Sequence, residues 1–215
     1  DGIYSAENRK GRMIEFGIRE FAMSAISAGI SLHGGLRPFC ATFLVFSDYL
    51  RPSLRVVSLM KQPVIYVFTH DSIYVGEDGP THEPVEQEAQ IRLMEKLKNH
   101  AGKDSIRVFR PADADETTVC WKLAMENTET PTALILSRQG IAKLPEGNDY
   151  EQAVKGAYIV AGADERPDVI LVASGSEVST LVSGCEALRK DGIKVRVVSA
   201  PSEGLFRTQS KAYQE

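Results

Sequence analysis

Cysteine and surplus basic charge are both scarce in this chain of 215 residues, and each scarcity excludes something. Its three cysteines, Cys40, Cys120 and Cys185, lie far apart, are odd in number and never approach CxxC spacing. They exclude a disulfide framework and read as reduced core thiols. Twenty-five Lys and Arg against 29 Asp and Glu leave a net charge of −4, which gives no basic footprint for nucleic acid. No apolar run is long enough to span a bilayer, and the first residues lack a signal-peptide pattern, so a cytoplasmic location is expected. What remains is 43% hydrophobic and 25% charged residues, the composition of a soluble globular protein. The length suits one full core and part of a second.

The most informative stretch runs from Thr69 to His82 (THDSIYVGEDGPTH). It follows PVIYVF (63–68), a compact apolar run expected to be a buried parallel strand. The loop holds two of the four histidines, with acidic and hydroxyl side chains around them and Gly76, Gly79 and Pro80 to force turns. Ligands in open α/β sheets bind beyond the carboxyl ends of strands, where this loop would sit. A small polyhydroxylated or phosphorylated molecule would suit it. By composition alone, a solvated loop whose histidines cap nearby backbone is the commoner outcome. The eight- and four-residue gaps between His70, Asp78 and His82 do not match a zinc pattern, so no metal is expected on them.

Periodicity supplies the frame. Residues 1–11 read as a loop, and Met13, Ile14 and Phe16 as a short strand entering a helix. Ile18, Phe21, Ala22, Ala25, Ile26, Gly29 and Ile30 mark one helical face that Gly34-Gly35 ends, with Glu20 in the first turn. RPFCAT (37–42) reads as a strand, and Phe43, Phe46 and Tyr49 would share one side of a helix. Pro52 is expected to kink that helix or start another, with Leu54, Val57 and Leu59 supplying its apolar face. A helix is expected over 84–97, with Val85, Ala89, Ile91 and Leu93 partly buried, then a strand at 107–109. Asp113 followed by Glu116 fits a capping-box start for the next helix. TALILS (132–137) is another strand, with Arg138 at its carboxyl end. Residues 142–166 are expected as a linker between a unit at 1–141 and a partial α/β unit at 167–215. Strands at 168–173 and 195–199 and a helix at 177–190 make that second unit one βαβ, unable to bury both its faces.

Several segments together resemble transketolase: GIREFAMSAISAGISLHGG (17–35), TFLVFSDY (42–49), THDSIYVGEDGPTHEPVEQ (69–87), RPAD (110–113), PTALILSRQ (131–139) and ASGSEV (173–178). The GEDGPTH block is highly specific. The resemblance implies a parallel-sheet α/β pyrimidine-binding domain with helices on both faces, followed by a partial second α/β domain. It also implies thiamine diphosphate as cofactor and transfer of a two-carbon ketol unit between sugar phosphates in the pentose phosphate pathway.

Residue by residue, the resemblance gives Glu20 the hydrogen bond to the cofactor's aminopyrimidine nitrogen that favours its imino tautomer. Phe43, Phe46 and Tyr49 match the aromatic pocket around that ring. His70 and Arg138 match contacts to substrate phosphate or hydroxyls, Asp78 a sugar-hydroxyl contact, and His82 the residue that hydrogen-bonds the donor and shuttles protons. The family's diphosphate-binding N-terminal domain, with its Mg or Ca ion, has no counterpart here. The expected partner is therefore such a domain or subunit, with a homodimer when complete, and the isolated chain is expected to be inactive. Glu83 stands where Gln is usual, Gly140 where Asn is common and Tyr74 where Gly is usual, and 95–104 reads as an insertion. Dihydroxyacetone synthase, 1-deoxyxylulose-5-phosphate synthase, and a non-catalytic interaction or dimerisation module of a split enzyme are the alternatives.

Overall fold

A computed structural model describes residues 2–145, 149–162 and 166–215. Four strands, β1 (Phe39–Phe43), β2 (Ile65–Thr69), β3 (Arg107–Phe109) and β4 (Thr132–Ile135), form an all-parallel sheet in the order β1-β2-β4-β3. Its helices are α1 (Glu20–His33), α2 (Ser47–Leu59), α3 (Gln87–Glu95) and α4 (Ala114–Glu126).

Strand alternation sorts the core. Tyr66 and Phe68 of β2 point to a cluster with Met23, Leu50, Leu54, Val57 and Ile91 from α1, α2 and α3. Ile65 and Val67, one residue out of step, point to the opposite cluster with Cys120 and Ala124 of α4. Both faces are therefore covered, as the unbroken apolar run of β2 requires. Burial of Phe68 or Leu54 contributes about 1.5–3 kcal/mol each.

Helix α1 reverses one expectation. The stripe containing Phe21, Ala22, Ala25, Ile26, Gly29 and Ile30 is exposed or half-buried, and Ile18, just ahead of the helix, is 95% exposed. Met23, Ser24, Ser27 and Ala28 pack inward instead. Small side chains let α1 lie close against its neighbours, and Ser24 meets the Tyr66 hydroxyl at 2.9 Å. A hydrophobicity stripe cannot detect a face built from serine and alanine.

Other departures are local. Residues 13–16 form no strand; Met13 makes only an isolated bridge with Ile3. Helix α2 runs unbroken through Pro52, which lies inside it and forfeits the hydrogen bond its missing N–H would give to the Asp48 carbonyl. Phe43, Phe46 and Tyr49 fall on β1, a 3-10 turn (Leu44–Phe46) and α2 in turn. In α3, Val85 precedes the helix at 87% exposure, Ala89 and Leu93 are exposed, and Gln87, Ile91, Arg92 and Glu95 are buried. Leu59 is likewise exposed. Asp113 does cap α4, accepting from the Glu116 amide at 2.9 Å while Glu116 accepts from Ala112 N–H at 2.7 Å.

The described part of 142–166 is not wholly linker. It carries a 3-10 turn (Tyr150–Lys155) and β5 (Tyr158–Gly162), so the second sheet begins inside that stretch. Residues 146–148 and 163–165 of the expected linker lie outside the described residues. The second sheet has the order β5-β7-β6, with β6 (Val169–Ala173) parallel and β5 antiparallel to β7 (Val195–Ser199). Helix α5 (Glu177–Lys190) covers one face, while Ile159, Ile170 and Val172 stay exposed. Short helices α6 (Glu203–Arg207) and α7 (Lys211–Gln214) complete the chain's elements. Val119 and Leu123 of α4 pack into this second core, so α4 serves both sheets. Among the described residues no helix is long and apolar enough to cross a membrane.

Candidate active site at the carboxyl edge of the sheet

Because β1 to β4 are all parallel, their carboxyl ends share one edge, and the residues after them face one another. Phe43 ends β1, His70 follows β2, and Arg138 follows β4. Helix α1 precedes β1 and returns to its start, so topology places Glu20, its first residue and half-buried, at the same edge.

Aromatic rings form the centre. The Phe43 and His70 rings stack with centroids 3.6 Å apart and planes 20° from parallel. Phe46 lies parallel to Phe43 at 6.1 Å, and Tyr49 continues the row 6.0 Å from Phe46. The His82 ring stands edge-on to Phe46 at 5.2 Å and to Phe43 at 6.4 Å. Fully buried Leu44 and buried Ser47 anchor the turn that lines up these rings. A row of rings that includes the His70 imidazole and is edged by that of His82 suits a planar heteroaromatic guest.

His70 adopts φ +61°, a left-handed conformation uncommon outside glycine, as the chain leaves β2. Its Nδ1 lies 3.0 Å from Thr69 Oγ1. Burial and then the Arg138 charge hold its pKa below the ordinary imidazole value, against Asp78 and Asp71, which favours the neutral ring. The loop beyond contains two 3-10 turns, Ile73–Val75 and Gly79–Thr81, pinned by buried Val75. Gly76 supplies the positive φ, +101°, with which the loop turns beside the Arg138 guanidinium. His82 Nδ1 sits 2.9 Å from Thr81 Oγ1. Asp78 and Arg138 are exposed.

Sequence reasoning missed two supports. Buried Gln87 donates to Asp48 Oδ2 at 3.0 Å and accepts from Val85 N–H at 2.9 Å, tying the loop's exit to the helix that carries Tyr49. Asp71, next to His70, is gripped by Arg110 through Nε at 2.9 Å and Nη2 at 2.8 Å. Burial raises the Asp71 pKa, opposed by Arg110. The THD and RPAD segments hold these residues, but nothing in their spacing pairs them. A cavity of about 620 Å³ beside Asp71, Tyr74, Gln139 and Glu177 adjoins the loop. The larger cavity, about 750 Å³, lies over the second sheet and includes none of the ring cluster. Among the described residues, no three His, Cys, Asp or Glu side chains converge as a metal site.

The site therefore brings together His70, His82, Phe43, Phe46 and Tyr49 by direct ring contact, with Asp78 and Arg138 acting on His70 through charge. Comparison with known proteins identifies the family. The family description "Transketolase, pyrimidine binding domain" matches residues 4–143, and "Transketolase-like TK C-terminal domain" matches 156–215. A transketolase from Halalkalibacterium halodurans is 53% identical over 214 residues, which are 99% of this chain and 31% of that protein. A solved Pichia stipitis transketolase in complex with sedoheptulose 7-phosphate is 40% identical with a TM-score of 0.87, over 99% of this chain and 31% of that one. A structure described as a split-gene transketolase, an inactive β4 tetramer, is 27% identical with a TM-score of 0.71, over 93% of this chain and 63% of that one. The chain thus spans about a third of the length of the curated relatives it matches. With a pyrimidine-binding domain match over most of its length, it belongs to the transketolase family.

Proposed function

We propose that this chain supplies the pyrimidine-binding half of an active site that moves a two-carbon ketol unit from a ketose phosphate to an aldose phosphate. The observation that carries the reading is the Phe43–His70 stack, continued by Phe46 and Tyr49 and edged by His82. Residues up to 141 would form this unit. The ring row is open on its outer side, with Tyr49 65% exposed, so a heteroaromatic ring can lie against it; the residues fit thiamine diphosphate's pyrimidine. When bound, that cofactor supplies the nucleophilic carbon and electron sink that carbon–carbon cleavage needs.

The chain's own groups do the rest. Glu20 would share a proton between its carboxylate oxygen and the aminopyrimidine nitrogen. Phe43, Phe46 and Tyr49 would exclude water from that contact once the guest ring lies against them. His82, with Nδ1 engaged by Thr81, offers Nε2 to carry a proton to and from the donor's hydroxyl. His70 presents Nε2 in the same way, since Nδ1 faces Thr69. Arg138 offers its fork to the phosphate and Asp78 accepts from a sugar hydroxyl. The diphosphate and its divalent cation would be held by a separate diphosphate-binding domain or subunit, in a homodimer acting in the cytoplasm within the pentose phosphate pathway.

Two measurements test this. Glu20→Ala in the assembled protein should abolish ketol transfer while the donor still binds; unchanged turnover would overturn the reading. The 215-residue chain alone should show no transfer, and added diphosphate-binding partner should restore it. The split-gene relative, whose β4 tetramer is described as inactive, favours that two-part behaviour. Failure to restore transfer with a folded partner would favour a non-catalytic interaction module.

A further inference from the structure

Arg110 stands where the two sheets meet. Its side chain is only 8% exposed, and the Asp71 side chain it grips is 1% exposed. On its other side Nη1 reaches Glu177 at 2.7 Å, at the start of α5, and donates to the Ser174 carbonyl at 2.9 Å. Glu88 of α3 adds a third carboxylate at 3.6 Å. The backbone is tied as well: Arg110 N–H donates to the Pro201 carbonyl at 2.8 Å, and the Arg110 carbonyl accepts from Gly175 N–H at 3.0 Å. Gly175, at φ +63°, has no Cβ; one added there would lie 2.8 Å from the guanidinium, so the turn is shaped around Arg110.

We propose that Arg110 is a positioning residue: it fixes Asp71, and through Asp71 the left-handed turn that stacks His70 on Phe43, with Ser174 and Glu177 of the second unit holding its far side. A guanidinium fork suits this because it can grip two partners in one plane, whereas a lysine ammonium offers a single point of charge. His70 leaves the strand end in an unfavourable backbone conformation, so its placement depends on an anchor at its C-terminal neighbour. Asp71 is that neighbour, and Arg110 occupies Oδ2 alone, while buried Oδ1 has no hydrogen-bond partner among the described residues. The second unit thus helps to set the geometry of a site it does not enter. This rests on the reading of His70 as a substrate contact only for its effect on turnover, not for its effect on the ring.

The test has two separable parts. In the 215-residue chain, proton NMR of His70 reads its stacking on Phe43 through the ring-current shift. Arg110→Lys should lose at least half of that shift at temperatures well below unfolding, and Glu177→Gln a smaller fraction. Glu177 is half exposed, so its variant keeps the fold even where Arg110→Lys does not. A folded Glu177→Gln protein with the His70 shift unchanged, together with an unchanged shift in any folded Arg110→Lys protein, overturns the proposal. A role in stability alone would lower the midpoint of unfolding without moving this signal. In the assembled enzyme, Glu177→Gln should raise KM for the donor several-fold, up to roughly tenfold, with kcat within about twofold. If the ring moves but KM does not, the clamp stands and the assignment of His70 to the donor falls.

Discussion

Consider Ser24→Ala, which deletes one hydroxyl on the inward face of α1. Ser24 and Tyr66 are both fully buried, and their oxygens lie 2.9 Å apart. Without Ser24, the buried Tyr66 hydroxyl loses the hydrogen-bond partner it has on α1, a loss of about 1–3 kcal/mol. The reciprocal change is milder. Tyr66→Phe leaves a serine whose hydroxyl can turn to the helix carbonyl four residues earlier, so its cost should be nearer to about 0.5–1.5 kcal/mol. The double variant should then cost little more than Tyr66→Phe, because the orphaned hydroxyl is gone. Urea unfolding tracked by circular dichroism reads the difference: with m of about 3 kcal/mol/M, a loss of about 2 kcal/mol lowers the midpoint by about 0.7 M. A Ser24→Ala midpoint at or above that of Tyr66→Phe would refute the claim that this bond docks α1, and with it Glu20, onto the sheet.

Buried groups give two further expected outcomes. Cys40, Cys120 and Cys185 are all at most 6% exposed, and burial pushes the Cys40 thiol up to about 12, so a thiol-specific reagent should label none until the protein unfolds; rapid labelling of the native chain would contradict this. Burial also raises the Glu116 carboxyl above its ordinary 4.5, against hydrogen bonds from Ala112 and Tyr158. Its contribution to stability is therefore complete below about pH 4.5 and lost as pH rises through the folded value. Glu116→Gln, which can accept from Ala112 and donate to the Tyr158 oxygen, should gain Tm relative to the parent as pH rises from about 4 toward 7. A constant difference across that range would refute the assignment.

Strands were plain in the sequence wherever a run was apolar throughout, as in Val64 to Phe68, because both faces of that sheet are covered. The start of α4 was equally plain, since Asp113 and Glu116 satisfy local backbone groups three residues apart. Strand β5 was hidden: YIVAG is short, comes after charge and glycine, and gains its place from β7, some 40 residues later. The buried side of α1 was hidden for a different reason, two of its four buried residues being serines. At the site, the chemical roles came through the resemblance to a family, not from spacing. The supports around it were illegible because Asp71 and Arg110 are 39 positions apart, as are Gln87 and Asp48. Pairings at that range are set by how strands order themselves in the sheet.

Helix α4 presses Cys120 and Ala124 against one sheet while Val119 and Leu123 fill the hollow beside the other. A single rod therefore acts as the wall common to two rooms. Severing the polypeptide between residues 141 and 149 would leave each piece with a bare apolar flank where the other had rested, so each should be less stable apart than joined.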